Sequence, residues 1–212
     1  MITPRGQSIE DKSMEIIESE IGQHPYSSDE WTIVKRVIHS TADFDFARAN
    51  RIIFRNGAIE SGTRALESGC NIVVDVNGVL GLLNKDNLKR FGNKTICSIS
   101  DESVVLEAKR LNKTRAQTAM RLGAKDIDGS VVAIGNAPTA LQELVQMITE
   151  RASRPALVIG IPVGFVCAAE SKDELGTVDI PQITNVGRKG GSPCASAIIN
   201  ALYIILKQRL GP

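Results

Sequence analysis

The N-terminal part of the chain carries its apolar side chains at helical spacing. Between residues 8 and 22, isoleucine and methionine recur among acidic residues, a pattern that indicates an amphipathic helix ending at Gly22. Ser28, Asp29 and Glu30 then supply a capping residue and first-turn acids for a second helix. The second helix is expected to end close to His39.

Beyond His39, the apolar residues fall into short β-branched runs that are typical of strands buried on both faces. These runs span residues 71–76, 94–99, 130–135 and 156–161. Helical stretches precede, separate or follow them at residues 58–68, 102–111, 115–122, 139–152 and 193–207. The alternation predicts an α/β fold, a three-layer sandwich with a mainly parallel central sheet flanked by helices. Since no repeat or linker interrupts the pattern, residues 1–212 are expected to form a single domain.

The composition agrees with this fold and limits the partners. The chain has 212 residues, of which 42% are hydrophobic and 4% aromatic. A chain of this length can bury a substantial core without disulfides or metal ions. The 25 basic and 24 acidic residues give a net charge of +1. Such a balance argues against a dedicated nucleic-acid binder and against an anionic-membrane protein.

The cysteines and the opening segment indicate a reduced compartment. Cys70, Cys97, Cys167 and Cys194 lie far apart without a CxxC pair, so we expect no metal site and predict reduced, mostly buried thiols. The opening segment lacks an apolar signal-peptide core, and the longest uncharged stretches are too short to cross a bilayer. We therefore expect a soluble, cytoplasmic protein without a membrane partner.

The loops after the predicted strands are where a ligand is expected in an open α/β sheet. They read NG, NAPTAL and PVGFVCAAESKDEL, and GRKGGSPCAS precedes the last helix. Glycines let a ligand approach the backbone, and the helix starts offer N–H groups to an anion. The alternative is that each loop is an ordinary strand-to-helix turn. No GxGxxG, P-loop or GxSxG signature is present.

The chain has only two histidines. His24 precedes Pro25 in a polar connection and is expected to be a solvated loop residue. His39 is expected either to cap the end of the second helix or, if it faces the crevice, to act as an acid–base catalyst, because imidazole titrates near neutral pH. Arg115 and the cations preceding the last helix suit a ligand with several carboxylates, if they too face the crevice.

Five segments together resemble the precorrin-8X methylmutase family of cobalamin biosynthesis. They are RVIHSTADFDF, NKTRAQTAMRL, GSVVAIGNAPTAL, IGIPVGFVCAAESKDEL and GRKGGSPCASAIINAL. The resemblance runs from about Ser13 to Leu206, and GNAPTAL and PVGFVCAAESK are its most specific parts.

The resemblance implies an isomerase that moves a methyl group from C-11 to C-12 of its substrate. That small molecule is precorrin-8X, converted to hydrogenobyrinate, or cobalt-precorrin-8, converted to cobyrinate. The resemblance also implies a homodimer with substrate sites near the subunit interface and no catalytic cofactor or metal. His39 matches the family histidine that donates a proton to the macrocycle, and Ser13, Arg36 and Arg115 match positions that bind substrate.

Two other functions are compatible with the sequence. The resemblance departs at Gly78, where a pocket or hinge side chain is expected to be missing, and this departure motivates a tetrapyrrole-binding or carrier protein derived from the enzyme. The glycine-rich loops alone motivate a nucleotide-dependent α/β enzyme. The sequence does not distinguish a metal-free substrate from a cobalt-containing one.

Overall fold

A computed structural model describes residues 3–48 and 51–211 of the chain. A central sheet lies between two layers of helices, which confirms the predicted α/β sandwich. In the described residues the strands are β1 (Ile52–Arg55), β2 (Ile72–Val74), β3 (Thr95–Ile96), β4 (Val131–Ile134), β5 (Leu157–Gly160) and β6 (Gln182–Asn185). Their order across the sheet is β1-β6-β5-β4-β2-β3.

Helices precede, connect and follow these strands. They are α1 (Pro4–Ile21), α2 (Ser28–Thr41), α3 (Ala58–Glu67), α4 (Asn77–Leu80), α5 (Lys85–Phe91), α6 (Glu102–Leu111), α7 (Arg115–Leu122), α8 (Pro138–Thr149), α9 (Ala168–Leu175) and α10 (Ser192–Leu210). Short 3-10 helices follow α2 at Phe44–Ala47 and α7 at Ala124–Asp126.

The sheet is parallel except at one edge. Strands β2 to β6 run in the same direction, with Val74 beside Ala133 and Ala133 beside Ile159. Strand β1 runs antiparallel to β6, with Ile52 opposite Asn185. The carboxyl ends of the parallel strands therefore meet along one edge of the sheet, where ligands bind in folds of this kind.

Alternate side chains of each strand enter two separate cores, as expected for a sheet covered on both faces. Val131, Ala133 and Ile159 point to the core that also contains apolar residues of α2, α3 and α10. Val132 and Val158 point to the core that contains residues of α7, α8 and α9. Helix α10 is the most deeply buried helix of the first layer, and its apolar residues are covered along most of its length.

The sequence pattern located most of the longer helices and strands β2 to β5, but it missed helices α4, α5 and α9 and two neighbouring strands, β1 at the sheet edge and β6. Helices α6 and α7 begin and end where predicted, and β2 to β5 are shorter than their apolar runs. Strand β6 reads QITN, with Gln182, Thr184 and Asn185 all buried. These polar side chains are buried because they hydrogen-bond main-chain carbonyls, which an apolar pattern does not reveal.

The four cysteines are free thiols, but only Cys194 is fully buried, so the prediction of mostly buried cysteines was too strong. Cys70, Cys97 and Cys167 are half-buried. Within residues 3–48 and 51–211, no helix combines the length and apolar character needed to cross a membrane.

Candidate functional site

Helix α2 carries His39 in its last turn. Ser27 caps the helix start and exchanges hydrogen bonds with Glu30 in a capping box. The apolar stripe of the helix is buried through Ile38, whereas the next two residues, His39 and Ser40, are exposed. The helix ends at Thr41, and the next residue, Ala42, caps it in the left-handed conformation with φ at 52°. Burial of the apolar stripe fixes the rotation of α2 about its axis, and this rotation sets the direction in which the His39 side chain points.

His39 lines a cavity of about 310 Å³ between α2 and α10. Helix α2 contributes Arg36, His39 and Ser40 to this cavity, which we call the histidine cavity. The opposite wall is formed by Leu82 and the first turns of α10, through Pro193, Ser196, Ala197 and Asn200. One imidazole and one guanidinium therefore face a wall of small, alcohol and amide side chains.

The histidine cavity lies at the carboxyl edge of the sheet. Gly135 follows β4, and a Cβ atom there would come within 3.0 Å of the Ser192 Cα atom at the start of α10. A larger residue at position 135 would push α10 away from the strand end. Pro193, the next residue of α10, lines the cavity. This position is the one that the sheet topology predicts for a ligand.

Arg36 connects the histidine cavity with a larger one. Its guanidinium forms an ion pair with Glu10 of α1, and both side chains are mostly buried. Arg36 and Asn200 also line a second cavity of about 710 Å³ between α1, α2, α5 and α10. Lys35 and Lys207 also line that cavity, and their charges are balanced there by acidic residues of α1 and α5. The two cavities adjoin at Arg36, which suits a ligand larger than either.

Asp75 occupies a position that sequence reasoning did not assign to a site. It follows β2, is 0% exposed, and accepts hydrogen bonds from the N–H groups of Gly135, Asn136 and Ala137. Burial raises the pKa of Asp75, and these N–H groups oppose the rise. The expected free N–H groups after β4 are therefore already occupied by a protein carboxylate. The sequence feature that could have indicated this role is an aspartate directly after a predicted buried strand.

The segment after His39 is joined to the loop that precedes α10. Lys189 donates to Asp43 Oδ2 and to Asp45 Oδ2, each at 2.6 Å. Hydrogen bonding to Lys189 lowers the pKa of Asp45, and the two carboxylates raise the pKa of Lys189. Lys189 is one of the cations preceding the last helix that the sequence suggested for ligand binding, but here it bridges two parts of the protein.

An exposed apolar loop lies beside the same segment. Phe165 is 86% exposed and Val166 is 78% exposed, and the guanidinium of Arg188 lies 5.8 Å from the Phe165 ring centre. The Gly164 N–H also donates to the Arg188 carbonyl oxygen at 3.2 Å. An exposed aromatic ring beside a cation is suited to a flat ligand with acidic substituents.

The structure brings together two of the four site residues named from the resemblance. His39 and Arg36 line one cavity, whereas Ser13 and Arg115 do not line it. Ser13 lies in the middle of α1 and donates to the Ile9 carbonyl oxygen at 2.8 Å. Arg115 is exposed at the first position of α7, a helix of the opposite layer. The roles of Ser13 and Arg115 remain predictions.

Thr114 nevertheless ties the start of α7 to the carboxyl edge. Its side chain caps α7, and its Oγ1 atom lies 2.8 Å from Oγ1 of Thr139 in the first turn of α8. Lys113, the residue before this cap, pairs with Glu143 at 3.4 Å. Arg115 therefore stands near the strand ends, on the side of the sheet away from His39.

Two further expectations need correction. His24 is not a solvated loop residue: its ring stacks on Trp31 with ring centres 3.9 Å apart, and its Nδ1 atom is buried. Gly78 does not mark an emptied pocket, because a Cβ atom there would lie 3.1 Å from Ser192 Oγ. Gly78 instead allows α4 to approach the start of α10. In the described part of the chain, no group of three or more His, Cys, Asp or Glu residues is arranged to hold a metal ion.

Comparison with known proteins gives concordant matches over nearly the whole chain. A family model described as precorrin-8X methylmutase matches residues 8–205. A cobalt-precorrin-8 methylmutase from Priestia megaterium is 48% identical over 96% of this chain and 90% of its own. One from Leptospira interrogans is 44% identical over 98% and 97%. A solved precorrin-8X methyl mutase from Thermus thermophilus has a TM-score of 0.88 at 39% identity and covers 95% of this chain and 96% of its own.

Proposed function

The chain belongs to the precorrin-8X methylmutase family of cobalamin biosynthesis, and we propose that it moves a methyl group from C-11 to C-12 of its corrin precursor. The observation that carries this proposal is the pairing of His39 with Arg36 in the histidine cavity at the carboxyl edge of the sheet. One group suits proton transfer and the other suits a carboxylate. Both are needed for a reactive macrocycle that carries acidic side chains.

His39 acts in this mechanism as proton donor and acceptor. The imidazole donates a proton to the bound macrocycle and stabilises the tautomer in which the methyl group migrates. The bond between the methyl carbon and C-11 breaks as the bond to C-12 forms, in a 1,5-sigmatropic shift. The proton then returns to the imidazole, so substrate and product are isomers. The protein contributes a positioned acid and a fixed macrocycle orientation.

The substrate's carboxylates are held by a few placed cations, because the whole chain has a net charge of only +1. Arg36 binds one carboxylate from within the histidine cavity. Ser13 and Arg115 lie outside that cavity. In a homodimer they contact peripheral groups either of the substrate bound to their own subunit or of the substrate bound to the partner subunit. We propose this homodimer as the cytoplasmic, cofactor-independent form of the enzyme, with residues 1–212 as one domain.

The apolar loop at Phe165 and Val166 covers one face of the macrocycle in this proposal. A flat ring loses little water-exposed polar surface when it stacks on an aromatic or aliphatic wall, so such contact adds affinity without a specific polar group. Arg188 beside Phe165 then meets an acidic substituent at the ring edge. This arrangement accommodates a large anionic ligand on an almost neutral protein.

The cobalt-containing macrocycle is the proposed substrate, with the metal-free one as the alternative. Support comes from the two curated relatives at 48% and 44% identity, both of which are cobalt-precorrin-8 methylmutases. Assay of the purified protein with each macrocycle, followed by absorption spectroscopy, tests the choice. Faster turnover of the metal-free compound would reverse it.

The decisive experiment compares wild type with His39→Ala. Many turnovers per subunit are expected for wild type, and the variant should bind the macrocycle but fail to convert it. His24→Ala is the matched control, because it removes the second histidine from a site that stacks on Trp31. Near-normal turnover by His39→Ala would contradict the mechanism. A stoichiometric spectral change that stops in wild type would instead support a carrier protein.

A further inference from the structure

A buried lysine holds the loop between β6 and α10. Lys172 of α9 is 3% exposed, and its Nζ atom donates to the carbonyl oxygens of Gly187 at 2.8 Å and Lys189 at 2.7 Å. Buried lysines are rare unless they are well partnered. Burial lowers the pKa of Lys172 to about 8, so the ammonium retains its charge and its donors at neutral pH. Lys172 therefore fixes the backbone of residues 187–189.

Asn185 reinforces this anchor from the end of β6. It is 1% exposed, and its side-chain amide donates to the same Lys189 carbonyl oxygen at 2.7 Å. The Lys189 carbonyl oxygen thus accepts two hydrogen bonds from buried groups of two different elements.

From this fixed backbone, the Lys189 side chain reaches the segment that follows His39. Its Nζ atom contacts Asp43 and Asp45, and Asp43 also caps the 3-10 helix by accepting the Asp45 N–H. His39 is in the last turn of α2, which ends at Thr41. The contact with Lys189 therefore restrains the chain directly after the last turn of α2.

The same loop also fixes the opposite wall of the histidine cavity. The Gly191 N–H donates to the Ile161 carbonyl oxygen at 2.9 Å, and Pro193 lines the cavity two residues later. Gly190 has φ at +155°, and a Cβ atom there would overlap the Ile161 carbonyl oxygen. The loop is thus pressed onto the end of β5, and both cavity walls depend on its position.

We propose that Lys172 and Lys189 are positioning residues for His39: Lys172 fixes the loop, and Lys189 uses that loop to hold the end of α2. Neither lysine donates a proton to the substrate in this arrangement. The inference rests on the proposed function, which assigns the proton step to His39. A positioning role can be distinguished from direct substrate binding by Lys189, because loss of a binding cation would change KM, whereas loss of a positioning residue changes kcat.

Steady-state kinetics of Lys172→Met, Lys189→Met and the double variant test the proposal. A misplaced acid costs about tenfold to a hundredfold in rate, so each single variant should lose at least about tenfold in kcat with KM changed less than about threefold. The double variant should have a kcat no lower than that of the slower single variant, since both lysines act on His39 through the same loop. Lys189→Arg should recover most of kcat by restoring the ion pair. Independent, multiplicative losses would overturn the proposal, as would a rise in KM alone.

The control for general destabilisation is Tyr203→Phe. Tyr203 is fully buried in the C-terminal half of α10, and its hydroxyl donates to Asn93 Oδ1 at 2.6 Å. Its removal is expected to lower the melting temperature without lowering kcat. If Tyr203→Phe and the lysine variants lost kcat in proportion to stability, the lysines would be structural and the proposal would fail.

A measurement without substrate separates this inference from the proposed function. The chain contains two histidines, so imidazole-labelled protein gives one NMR signal set for His39 and one for His24. Lys172→Met and Lys189→Met should both shift or broaden the His39 signals and leave those of His24 unchanged. Unchanged His39 signals would overturn the positioning role. A wild-type protein that binds macrocycle but never converts it would overturn the proposed function, even if the His39 signals respond.

Discussion

The carboxylate of Asp75 accepts a hydrogen bond from the Ala137 N–H at 2.6 Å, so the end of β2 caps the helix that follows β4. The two residues are brought together by the neighbouring positions of β2 and β4 in the sheet. Hydrogen bonds from Gly135 and Asn136 complete this contact. The Asp75 side chain therefore joins the ends of two neighbouring strands, β2 and β4, at the edge of the sheet where the ligand is expected.

We predict that Asp75→Asn lowers the free energy of unfolding by about 2–3 kcal/mol, since a buried amide replaces a carboxylate bonded to three N–H groups. Urea unfolding at neutral pH measures the change. Asp179→Asn is the matched control, because Asp179 is exposed, and surface substitutions usually change stability by less than about 0.5 kcal/mol. Equal stability of the two variants would show that the cap contributes little.

Glu143 gives a prediction for the dependence of stability on pH. Its side chain is fully buried and is contacted by Arg121, Gln117 and Lys113. Burial alone would raise the pKa of Glu143, but its hydrogen bonds with Arg121 and Gln117 and the charges of Arg121 and Lys113 lower it below the ordinary 4.5. The stabilisation is therefore present above about pH 4.5 and is lost as the pH falls through the lower folded-state pKa.

Glu143→Gln should accordingly reduce the free energy of unfolding at pH 7 by about 2 kcal/mol, the size of a charge-assisted hydrogen bond. The difference from wild type should shrink as the pH is lowered below 4.5. Thermal unfolding across that range measures it, with the exposed Glu67→Gln as control. A difference that grows on acidification would contradict the assignment.

Substitution of Glu10 tests whether Arg36 meets a substrate carboxylate. In the free protein Glu10 pairs with Arg36, so it competes with an incoming carboxylate. Partly exposed pairs are worth up to about 1 kcal/mol, and Glu10→Gln should therefore lower KM by up to about fivefold without changing kcat. Glu15→Gln, which breaks an exposed pair with Lys12 on the same helix, is the control. A raised KM would mean that Glu10 orients Arg36 rather than competes for it.

Thiol labelling tests the burial of α10. Cys194 is 0% exposed, and burial raises the pKa of its thiol to about 12. Burial also raises the pKa of Cys97 and raises that of Cys70 to about 11. Only thiolates react with iodoacetamide, so in the folded protein at pH 8 the half-buried Cys167 should be labelled first and Cys194 last. Peptide mass spectrometry follows the order, and denatured protein provides the reference in which all four react.

The sequence was most informative where one element determines its own structure. The sequence signals that begin and end α6 and α7 lie within a few residues of each helix end. His39 and Arg36 share a cavity because they are one helical turn apart on α2. The contacts of Asp75 were not predicted, because they join residues 60 or more positions apart. Lys172 was missed because residues 162–175 were interpreted as a loop rather than as helix α9, and because its acceptors are backbone atoms of a distant loop.

The two walls of the histidine cavity have a consequence for how the protein folds. Residues 36–40 form one wall and residues 193–200 form most of the other, so the walls are contributed by segments far apart in the chain. Contacts of such long sequence separation form slowly, because the intervening chain must be ordered or looped out first. Helix α10 also follows every described strand and is therefore synthesised after them. Activity should thus appear late in refolding, after the sheet has formed, and a chain stopped before α10 should retain His39 but have no pocket around it.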